Sequence, residues 1–529
     1  MLGVMIDCSR NAVMNVKSIR HFVDILAKMG YDALMLYTED TYEVDGQPFF
    51  GHQRGRYTKE ELKEIDEYCK SKGVELIPCI QTLAHLNCMF KWDSVYGEVK
   101  DCDDILLIDE EKTYQLIRDM FSTISECFTS KQIHIGMDEA YRVGLGKYLQ
   151  KHGYEERFDV INRHLHRVCA LADEFGLRPM IWSDMFCKLA MGNADYYDTG
   201  NSEGIKEKGN LPDNISLVYW DYYGKDYARY KRMLEVNQAF GKEVFFAGGA
   251  WTWKGFVPDN GLSMATMTPA IQACKDCGVN HMFFTVWGDD GGECSRYGVL
   301  PSLFYVAQTA LGNADEEDIK QRFKEMMGMD FESFMLLEKM DHPGERHLAK
   351  RYQAPSKYLL YNDPFSGLMD YRLAGGENQY YSELRKEMEQ IEVAEEYEQM
   401  FDYMKALCDV LSVKSELGTH TRNAYISGDK KHLKQIAETE YHQVIEKLET
   451  FHKIYQKWWM NENKPQGFDV QDIRIGGLLQ RMKSCQGRLL SYCAGEIENI
   501  PELEEPVLKA DAGHSWARIV TPGVISHCV

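Results

Sequence analysis

Positive charge is in short supply in this sequence. Lysine and arginine number 60 among the 529 residues, against 82 aspartates and glutamates, so the formal net charge is −22 at pH 7. A protein that binds nucleic acid needs a basic surface to displace counterions from the phosphates, and an anionic membrane attracts basic residues for a similar reason. We therefore expect neither a nucleic acid nor a membrane as a partner.

Long apolar runs and secretion signals are also missing. No stretch approaches the roughly 20 apolar residues of a membrane span. The amino terminus, MLGVMIDCSRNAV, has no basic region before its short apolar run, unlike a signal peptide. The 15 cysteines are scattered through apolar segments, which favours reduced core thiols. Cys274 and Cys277 have Cys-x-x-Cys spacing without a second pair, so we predict no metal site. Because a signal peptide and a membrane span are both missing, we predict a cytoplasmic protein.

Eight short apolar runs alternate with amphipathic segments in the first part of the chain. Most of these runs follow a helical pattern that ends on glycine, as in DILAKMGYDA and ALADEFGLRP, where glycine supplies the left-handed helix cap. Eight repeats of strand, helix, glycine and strand predict a parallel (β/α)8 TIM barrel. The predicted strands are 2–7, 33–40, 74–82, 132–139, 178–185, 216–223, 243–251 and 281–290.

The pattern of apolar residues changes after about residue 312. From Leu384 to Leu411 the apolar residues recur at spacings of three and four, which predicts one face of a long helix. We therefore predict two domains, a barrel at 1–312 and an all-α C-terminal domain at 313–529. The segment KWWMNENKPQGF breaks a helix near 457–468, where Trp458 and Trp459 either pack against the barrel or edge the pocket of a neighbouring subunit.

The fourth predicted strand, in KQIHIGMDEAYR, ends in two adjacent carboxylates. Alternation along 132–139 points His134, Gly136 and Asp138 into the barrel. Glu139 follows just past the carboxyl end, which is where barrel enzymes place their chemistry. We expect His134 to brace the strand, and we take Asp138 and Glu139 as the candidate reactive pair.

Three other strand ends carry an aromatic residue, a spacer and an aspartate. Aromatic faces stack on the apolar face of a sugar ring, and carboxylates accept hydrogen bonds from its hydroxyls, so we predict a carbohydrate substrate. Arg10, after the first strand, either donates to neighbouring hydroxyls or forms a salt bridge with an inward acid. The three pairs are Trp182 with Asp184, Tyr219 with Asp221, and Trp287 with Asp289.

The adjacency of Asp138 and Glu139 narrows the chemistry. Most glycosidases use two carboxyl groups that face each other across the scissile bond, and adjacent residues do not easily straddle a sugar. In an exceptional class, the 2-acetamido oxygen of the substrate attacks the anomeric carbon itself. The enzyme then supplies an acid for the leaving oxygen and a second carboxylate that orients the acetamido group. Adjacent Asp and Glu suit those two roles.

At this point the sequence resembles a known family. HIGMDE matches the His-x-Gly-x-Asp-Glu motif of glycoside hydrolase family 20, the β-N-acetylhexosaminidases. The order of Arg10, the histidine of QTLAHL, IWSDM, YWD and VWGD along the barrel also resembles that family. The resemblance implies a retaining exo-β-N-acetylhexosaminidase that removes terminal β-linked N-acetylglucosamine or N-acetylgalactosamine from an oligosaccharide or glycoconjugate, with no cofactor or metal. A bacterial subgroup with a helical domain after the barrel includes dimers, so a homodimer is a further expectation.

The resemblance also implies residue roles. Glu139 is the general acid and base, Asp138 holds the acetamido nitrogen, and Tyr219 hydrogen-bonds the acetamido carbonyl. His85 either relays to Glu139 through Glu39 or Asp40 or is a satisfied structural histidine. The sequence departs from the family pattern at Leu-Ala-His, in place of Pro-Gly-His, and at Trp-Gly-Asp, in place of Trp-x-Glu. The implied substrate-binding residues are Arg10, His85, Trp182, Asp221, Trp251 (with Trp253 as its alternative), Trp287 and Asp289.

Two other interpretations stay open. One is a glycosidase with two opposed carboxylates, such as Asp184 or Asp289 facing Glu139, that acts on sugars without an acetamido group. The other is a non-catalytic sugar-binding barrel, against which the intact Asp138 and Glu139 argue.

Overall fold

The computed structural model describes residues 1–192, 196–197, 205, 210–313, 315–344 and 354–509. The chain divides into two compact units. The first consists of Met1–Trp251, Gly261–Gly288 and Ser302–Asp315, and the second of Thr252–Asn260, Asp289–Pro301 and Glu316–Val529. The predicted boundary near residue 312 lies inside the last segment of the first unit.

Eight parallel strands close into a barrel, as the sequence predicts. Their order around the barrel is β1-β10-β9-β8-β7-β6-β3-β2, and a separate two-stranded sheet pairs β4 with β5. The strands are β1 (Leu2–Asp7), β2 (Ala33–Tyr37), β3 (Glu75–Cys79), β4 (Lys100–Cys102), β5 (Ile105–Leu106), β6 (Gln132–His134), β7 (Arg178–Trp182), β8 (Ser216–Trp220), β9 (Glu243–Gly249) and β10 (Met282–Val286).

Most barrel strands end earlier than predicted. The fourth barrel strand, β6, ends at His134 rather than at residue 139, and β8 ends at Trp220 rather than at 223. The apolar and aromatic residues after these ends belong to the loops at the carboxyl face of the barrel. Alternation alone does not separate a strand from such a loop, because the buried loop is apolar as well.

The strand register shows which side chains share a face. Residues paired across neighbouring parallel strands point to the same side of the sheet. Asp7 pairs with Tyr37, and Tyr37 pairs with Cys79, which in turn pairs with His134. These residues are buried. Ring contacts continue across the barrel, from Tyr37 to Trp287, from Trp287 to Trp182 and from Trp182 to His134. The inner face at the carboxyl end is therefore both aromatic and polar.

The first two barrel helices begin at residues whose side chains cap them. The helix Val16–Met29 has Asn15 as its N-cap and Gly30 at φ 94° as its left-handed C-cap. Thr58 and Glu61 form a reciprocal capping box at the next helix. In the part of this range that the structure describes, the α-helices between residues 16 and 310 are Val16–Met29, Lys59–Ser71, Asp93–Tyr96, Glu111–Cys127, Lys147–His152, Arg157–Glu174, Asp184–Met191, Tyr227–Gln238, Asn260–Asp276 and Leu300–Ala310.

The rest of the described chain is helical. The single long helix predicted across Leu384–Leu411 is wrong, because two helices flank a break at residues 390–397, where Ile391 and Ala394 are only half-buried. The helices are Glu316–Met327, Phe331–Met335, Pro355–Tyr361, Glu377–Glu389, Glu398–Lys414, Leu417–Ile426, Lys430–Ile436, His442–Glu462, Phe468–Ala494 and Pro501–Glu504, with a π-helical turn at Ala437–Tyr441.

Trp458 and Trp459 lie in the core of the second unit. Their indole nitrogens donate to Glu462 Oε2 at 2.8 Å and to the Lys464 carbonyl at 3.0 Å, and both side chains are buried. Burial inside one chain is inconsistent with the alternative that either residue edges a neighbouring subunit's pocket.

Across the described residues, no helix is both long enough and apolar enough to span a membrane.

Candidate active site

The turn after β6 has an unusual backbone. Gly136, Met137 and Glu139 have φ values of 73°, 72° and 52°, and left-handed conformations are unfavourable for residues with a side chain. The Gln81 amide oxygen accepts the Met137 N–H at 3.2 Å. A Cβ at position 136 would lie 2.0 Å from that same oxygen, so any other residue there would force the Gln81 side chain to move. The alternation predicted through residue 139 is therefore wrong beyond His134.

This turn holds Asp138 between two side chains. Gln81 Nε2 donates to Asp138 Oδ1 at 2.8 Å, and His85 Nε2 lies 3.1 Å from Oδ2. Burial opposes ionisation of Asp138, but the charge and hydrogen bond of His85 and the bond from Gln81 outweigh it and lower the pKa of Asp138. Burial likewise opposes the charged imidazolium, yet the neighbouring Asp138 raises the pKa of His85 to about 10. Asp138 is therefore held as a carboxylate.

Glu139 sits at the edge of the same cluster. Its side chain is 43% exposed and lies 3.8 Å from His85 Nε2, and the Tyr141 hydroxyl donates to Glu139 Oε1 at 3.4 Å. Partial desolvation and the charge of Asp138 raise the pKa of Glu139, while His85 and Arg10 work in the opposite direction. The adjacent carboxyl groups thus have pKa values shifted apart, one lowered and one raised, which is the pattern of an acid beside a permanent carboxylate.

Arg10 forms the salt bridges that the sequence left as an alternative. Its guanidinium lies 3.3 Å from Asp7 Oδ2 and 3.2 Å from Glu39 Oε1. The same group stands over the Tyr37 and Trp287 rings, with its central carbon 5.0 Å and 5.2 Å from their centroids. These contacts place Arg10 against an aromatic wall that includes Tyr37 and Trp287.

Three predicted tryptophans are brought into this region. The Trp182 and Trp287 ring centroids are 6.2 Å apart, and Trp287 meets Tyr37 edge to face at 4.7 Å. The Trp251 indole donates to the Tyr222 carbonyl at 3.2 Å. Trp182 also packs against His134 at 4.3 Å, and burial lowers the pKa of that histidine to about 3, so His134 is neutral and acts as packing.

Tyr219 and Asp221 do not face the interior, which corrects the prediction. Trp182 pairs with Val218, so Tyr219 points to the opposite, helix-facing side of the sheet. Its ring packs on Phe246, and its hydroxyl donates to Asp221 Oδ2 at 3.1 Å. Arg229, on the helix Tyr227–Gln238, donates to the same Asp221 oxygen at 2.8 Å. Both residues are satisfied by an ion-pair network on the outside of the barrel.

Trp220 and Tyr222 take the inner positions instead. Their rings stack at 5.3 Å. Burial raises the pKa of Tyr222 well above its usual value, partly offset by hydrogen bonding with Trp287 and Thr285, and the charge of Asp138 raises it further. Sequence reasoning missed both residues. The run YWDYY offers aromatics in both phases, and only the register with β7 selects between them.

The remaining predictions concern Asp289, Trp253 and the two acids proposed to connect with His85. Asp289 is exposed and belongs to the second unit, as does Trp253, the alternative to Trp251. Of the two acids proposed to connect with His85, Asp40 pairs with Arg54 at 2.9 Å, whereas Glu39 pairs with Arg10. The charges of both Arg10 and His85 act on buried Glu39 to lower a pKa that burial raises.

Fold and site together define a (β/α)8 barrel protein with a carboxylate pair and an aromatic wall at the carboxyl ends of its strands. The family model of the glycosyl hydrolase family 20 catalytic domain matches residues 2–230, and that of the Glycoside Hydrolase 20C C-terminal domain matches residues 332–519. The chain belongs to glycoside hydrolase family 20.

Several relatives are similar to the chain over part of its length. Hexosaminidase D of Bos taurus is 23% identical over 233 residues, which are 42% of this chain and 62% of that protein. Hexosaminidase D of Homo sapiens is 23% identical, over 40% of this chain and 43% of that protein. The β-hexosaminidase of Akkermansia muciniphila is 26% identical over 59% of this chain and 75% of that protein. The chain thus spans less than two thirds of the first two relatives.

Solved structures of similar proteins include a β-N-acetylhexosaminidase from Bacteroides fragilis. Its TM-score is 0.47 at 17% identity, with 62% of this chain and 70% of that chain covered. An exo-β-N-acetylglucosaminidase from Vibrio harveyi gives 0.46 at 14% identity, over 63% of this chain and 58% of that one.

Proposed function

We propose that the protein is a retaining exo-β-N-acetylhexosaminidase that uses the acetamido group of its substrate as the nucleophile. The observation that carries this proposal is the geometry of the adjacent pair, in which Asp138 is fixed by Gln81 and His85 while Glu139 stays partly exposed with a raised pKa. Terminal β-linked N-acetylglucosamine or N-acetylgalactosamine on an oligosaccharide or glycoconjugate is the substrate class.

The reaction follows from those two protonation states. The acetamido carbonyl oxygen forms a bond to the anomeric carbon as the glycosidic bond breaks, and protonated Glu139 gives its proton to the departing oxygen. Asp138 accepts a hydrogen bond from the acetamido N–H and stabilises the positive charge of the cyclic intermediate. Glu139, now a carboxylate, takes a proton from the water that opens this intermediate, so two inversions give overall retention.

We assign the acetamido carbonyl contact to Tyr222 rather than Tyr219. Tyr222 lies on the inner side with Trp287, and Asp138 acts on it electrostatically, whereas Tyr219 lies on the helix-facing side with its hydroxyl bonded to Asp221. Trp182, Trp251 and Trp287 are the proposed wall for the sugar ring. Arg10 remains a candidate for its hydroxyl groups.

The alternative with opposed carboxylates is less well supported. Asp184 accepts a hydrogen bond from the backbone N–H of Glu139 itself at 3.0 Å. A carboxylate bound to the backbone of the acid lies on the same side as the acid and does not face it across a sugar. A homodimer and a cytoplasmic location remain part of the proposal, and the free cysteines of the described residues support a reducing compartment.

A small substrate panel tests the function. Aryl β-glycosides with and without a 2-acetamido group are compared on the same enzyme. We expect turnover only of the acetamido sugars, together with tight inhibition by a thiazoline mimic of the cyclic intermediate. Glu139→Gln should lower turnover by about 10²- to 10⁴-fold, because the proton donor is lost.

Three results would reject the assignment. Near-normal activity of Glu139→Gln would show that another group is the acid. Efficient hydrolysis of plain glucosides or galactosides would favour opposed carboxylates, and binding without any turnover would favour a non-catalytic barrel.

A further inference from the structure

Asp184 is a third carboxylate beside the proposed pair and has no role in the reaction above. It is the first residue of the helix Asp184–Met191, two residues after Trp182 at the end of β7, and is 2% exposed. Its Oδ2 accepts the backbone N–H of Glu139 at 3.0 Å. A buried carboxylate is costly to retain, so a specific bond of this kind calls for a reason.

The bond fixes a backbone conformation that is unfavourable by itself. Glu139 has φ 52°, in the left-handed region that is unfavourable for an L-residue. Among the described residues, the Glu139 carboxylate makes only long contacts, 3.4 Å to the Tyr141 hydroxyl and 3.8 Å to His85. The side chain therefore does little to hold its own position, and its direction depends on how the backbone is anchored.

We infer that Asp184 is a positioning residue that aims the Glu139 carboxyl at the leaving oxygen by anchoring the Glu139 backbone N–H. The inference rests on the proposed function, because it requires Glu139 to be the acid. In this scheme Asp184 touches no substrate atom and acts only through Glu139.

Charge adds a second consequence to the same arrangement. Burial and the charges of Asp138 and Glu139 raise the pKa of Asp184, whereas bonds from the Glu139 N–H and the Trp220 indole lower it. Because the pKa of Asp184 is raised to about 7, it carries its charge mainly above neutral pH, and there its charge raises the pKa of Glu139 in return. The other groups that act on this pair of acids are Asp138, His85, Arg10 and Tyr141, and Cys187 and Tyr196 are neutral neighbours of Asp184.

Two variants separate the anchor from the charge. Asp184→Ala removes the acceptor, whereas Asp184→Asn keeps an acceptor oxygen and removes the charge. Each is assayed on a phenyl and a 2,4-dinitrophenyl 2-acetamido-β-glycoside, because an activated phenolate leaves without a proton. We expect Asp184→Ala to lose about 10- to 100-fold in kcat on the phenyl substrate and less than about threefold on the activated one.

The Asn variant gives a pH signature. A general acid must be protonated, so activity falls as the pH rises through its pKa. Removing the negative charge that Asp184 carries above neutral pH lowers the pKa of Glu139 there, so the basic limb of the kcat profile should move to lower pH. At its optimum this variant should keep kcat within about threefold of wild type, since the N–H is still bonded.

Asp66 provides a matched control. It is also a buried aspartate of the barrel that accepts a backbone N–H, that of Thr129 at 3.2 Å, and burial raises its pKa as well. Asp66→Ala should lower the melting temperature without changing the leaving-group dependence or the pH limb. If Asp184→Ala fails to fold, the Asn variant and its pH limb decide the question alone.

A double-mutant cycle with Glu139→Gln completes the test. We expect Asp184→Ala to have little further effect once the acid is gone. Additive losses, or equal losses on both substrates, would overturn the positioning role, as would an unshifted basic limb in the Asn variant. If Glu139→Gln alone keeps near-normal activity, the proposed acid is wrong and the fault lies with the proposed function rather than with Asp184.

Discussion

Single residues set the geometry of the reactive pair, and Gly136 does so by having no side chain. Its φ of 73° and the 2.0 Å approach of the Gln81 oxygen leave no room for a Cβ. Gln81 in turn bonds Asp138 and the Met137 N–H. A side chain at position 136 would therefore push aside the group that orients the Asp138 carboxylate.

Gly136→Ala should combine backbone strain with loss of the Gln81 bonds. We expect a loss of about 2 to 4 kcal/mol in the free energy of unfolding, together with reduced kcat, measured by urea denaturation and steady-state kinetics. Gly495→Ala is the control, because Gly495 is also left-handed, at φ 79°, but has open space around its Cβ direction. It should cost about 1 kcal/mol and leave activity unchanged. Equal losses for both variants would mean that Gln81 simply moves aside.

At the scale of elements, the register of β8 decides which aromatic side chains face the barrel interior. Trp182 on β7 pairs with Val218, so Trp220 and Tyr222 continue the inner face and Tyr219 the outer one. A shift of one residue exchanges the two faces completely. The local run YWDYY carries no information on that choice.

Two phenylalanine variants test the register. Tyr222→Phe removes the proposed donor to the acetamido carbonyl, and we expect kcat/KM to fall by about 10- to 100-fold. Tyr219→Phe removes a hydroxyl that bonds only Asp221 among the contacts described, so kcat/KM should stay within about threefold. Both are measured on one aryl 2-acetamido-β-glycoside, with melting temperatures as the folding control. A larger loss for Tyr219→Phe would reverse the assignment.

The contrast between local sequence patterns and contacts between distant segments explains which parts of the fold could be predicted. Eight apolar runs separated by glycine-capped helices were enough to predict the closed barrel, because that pattern is repeated and local. The adjacent Asp138 and Glu139 stood out for the same reason. The register of β8 and the break at residues 390–397 were missed, since both depend on contacts between segments that are far apart in sequence.

At the scale of the whole molecule, the second unit is assembled from three pieces of chain. The segments Thr252–Asn260 and Asp289–Pro301 group with the helices after residue 315. Within that unit, fully buried Lys357 pairs with Glu293, and the Arg296 N–H donates to Glu462 at 2.7 Å. Burying such a charge pair is tolerable only while both partners are present.

A fragment that ends at residue 315 tests what this division means. It would keep both inserted segments but lose Lys357 and Glu462, leaving Glu293 and the Arg296 N–H without these partners. We expect this fragment to lack a sharp unfolding transition and to have no activity, as measured by calorimetry and an aryl glycoside assay. Co-expressed residues 316–529 are the control and should restore both properties, because they return the missing partners. A fragment that unfolds cooperatively and turns over substrate alone would instead support a barrel that folds by itself. It would also show that the inserted segments need no partner from residues 316–529.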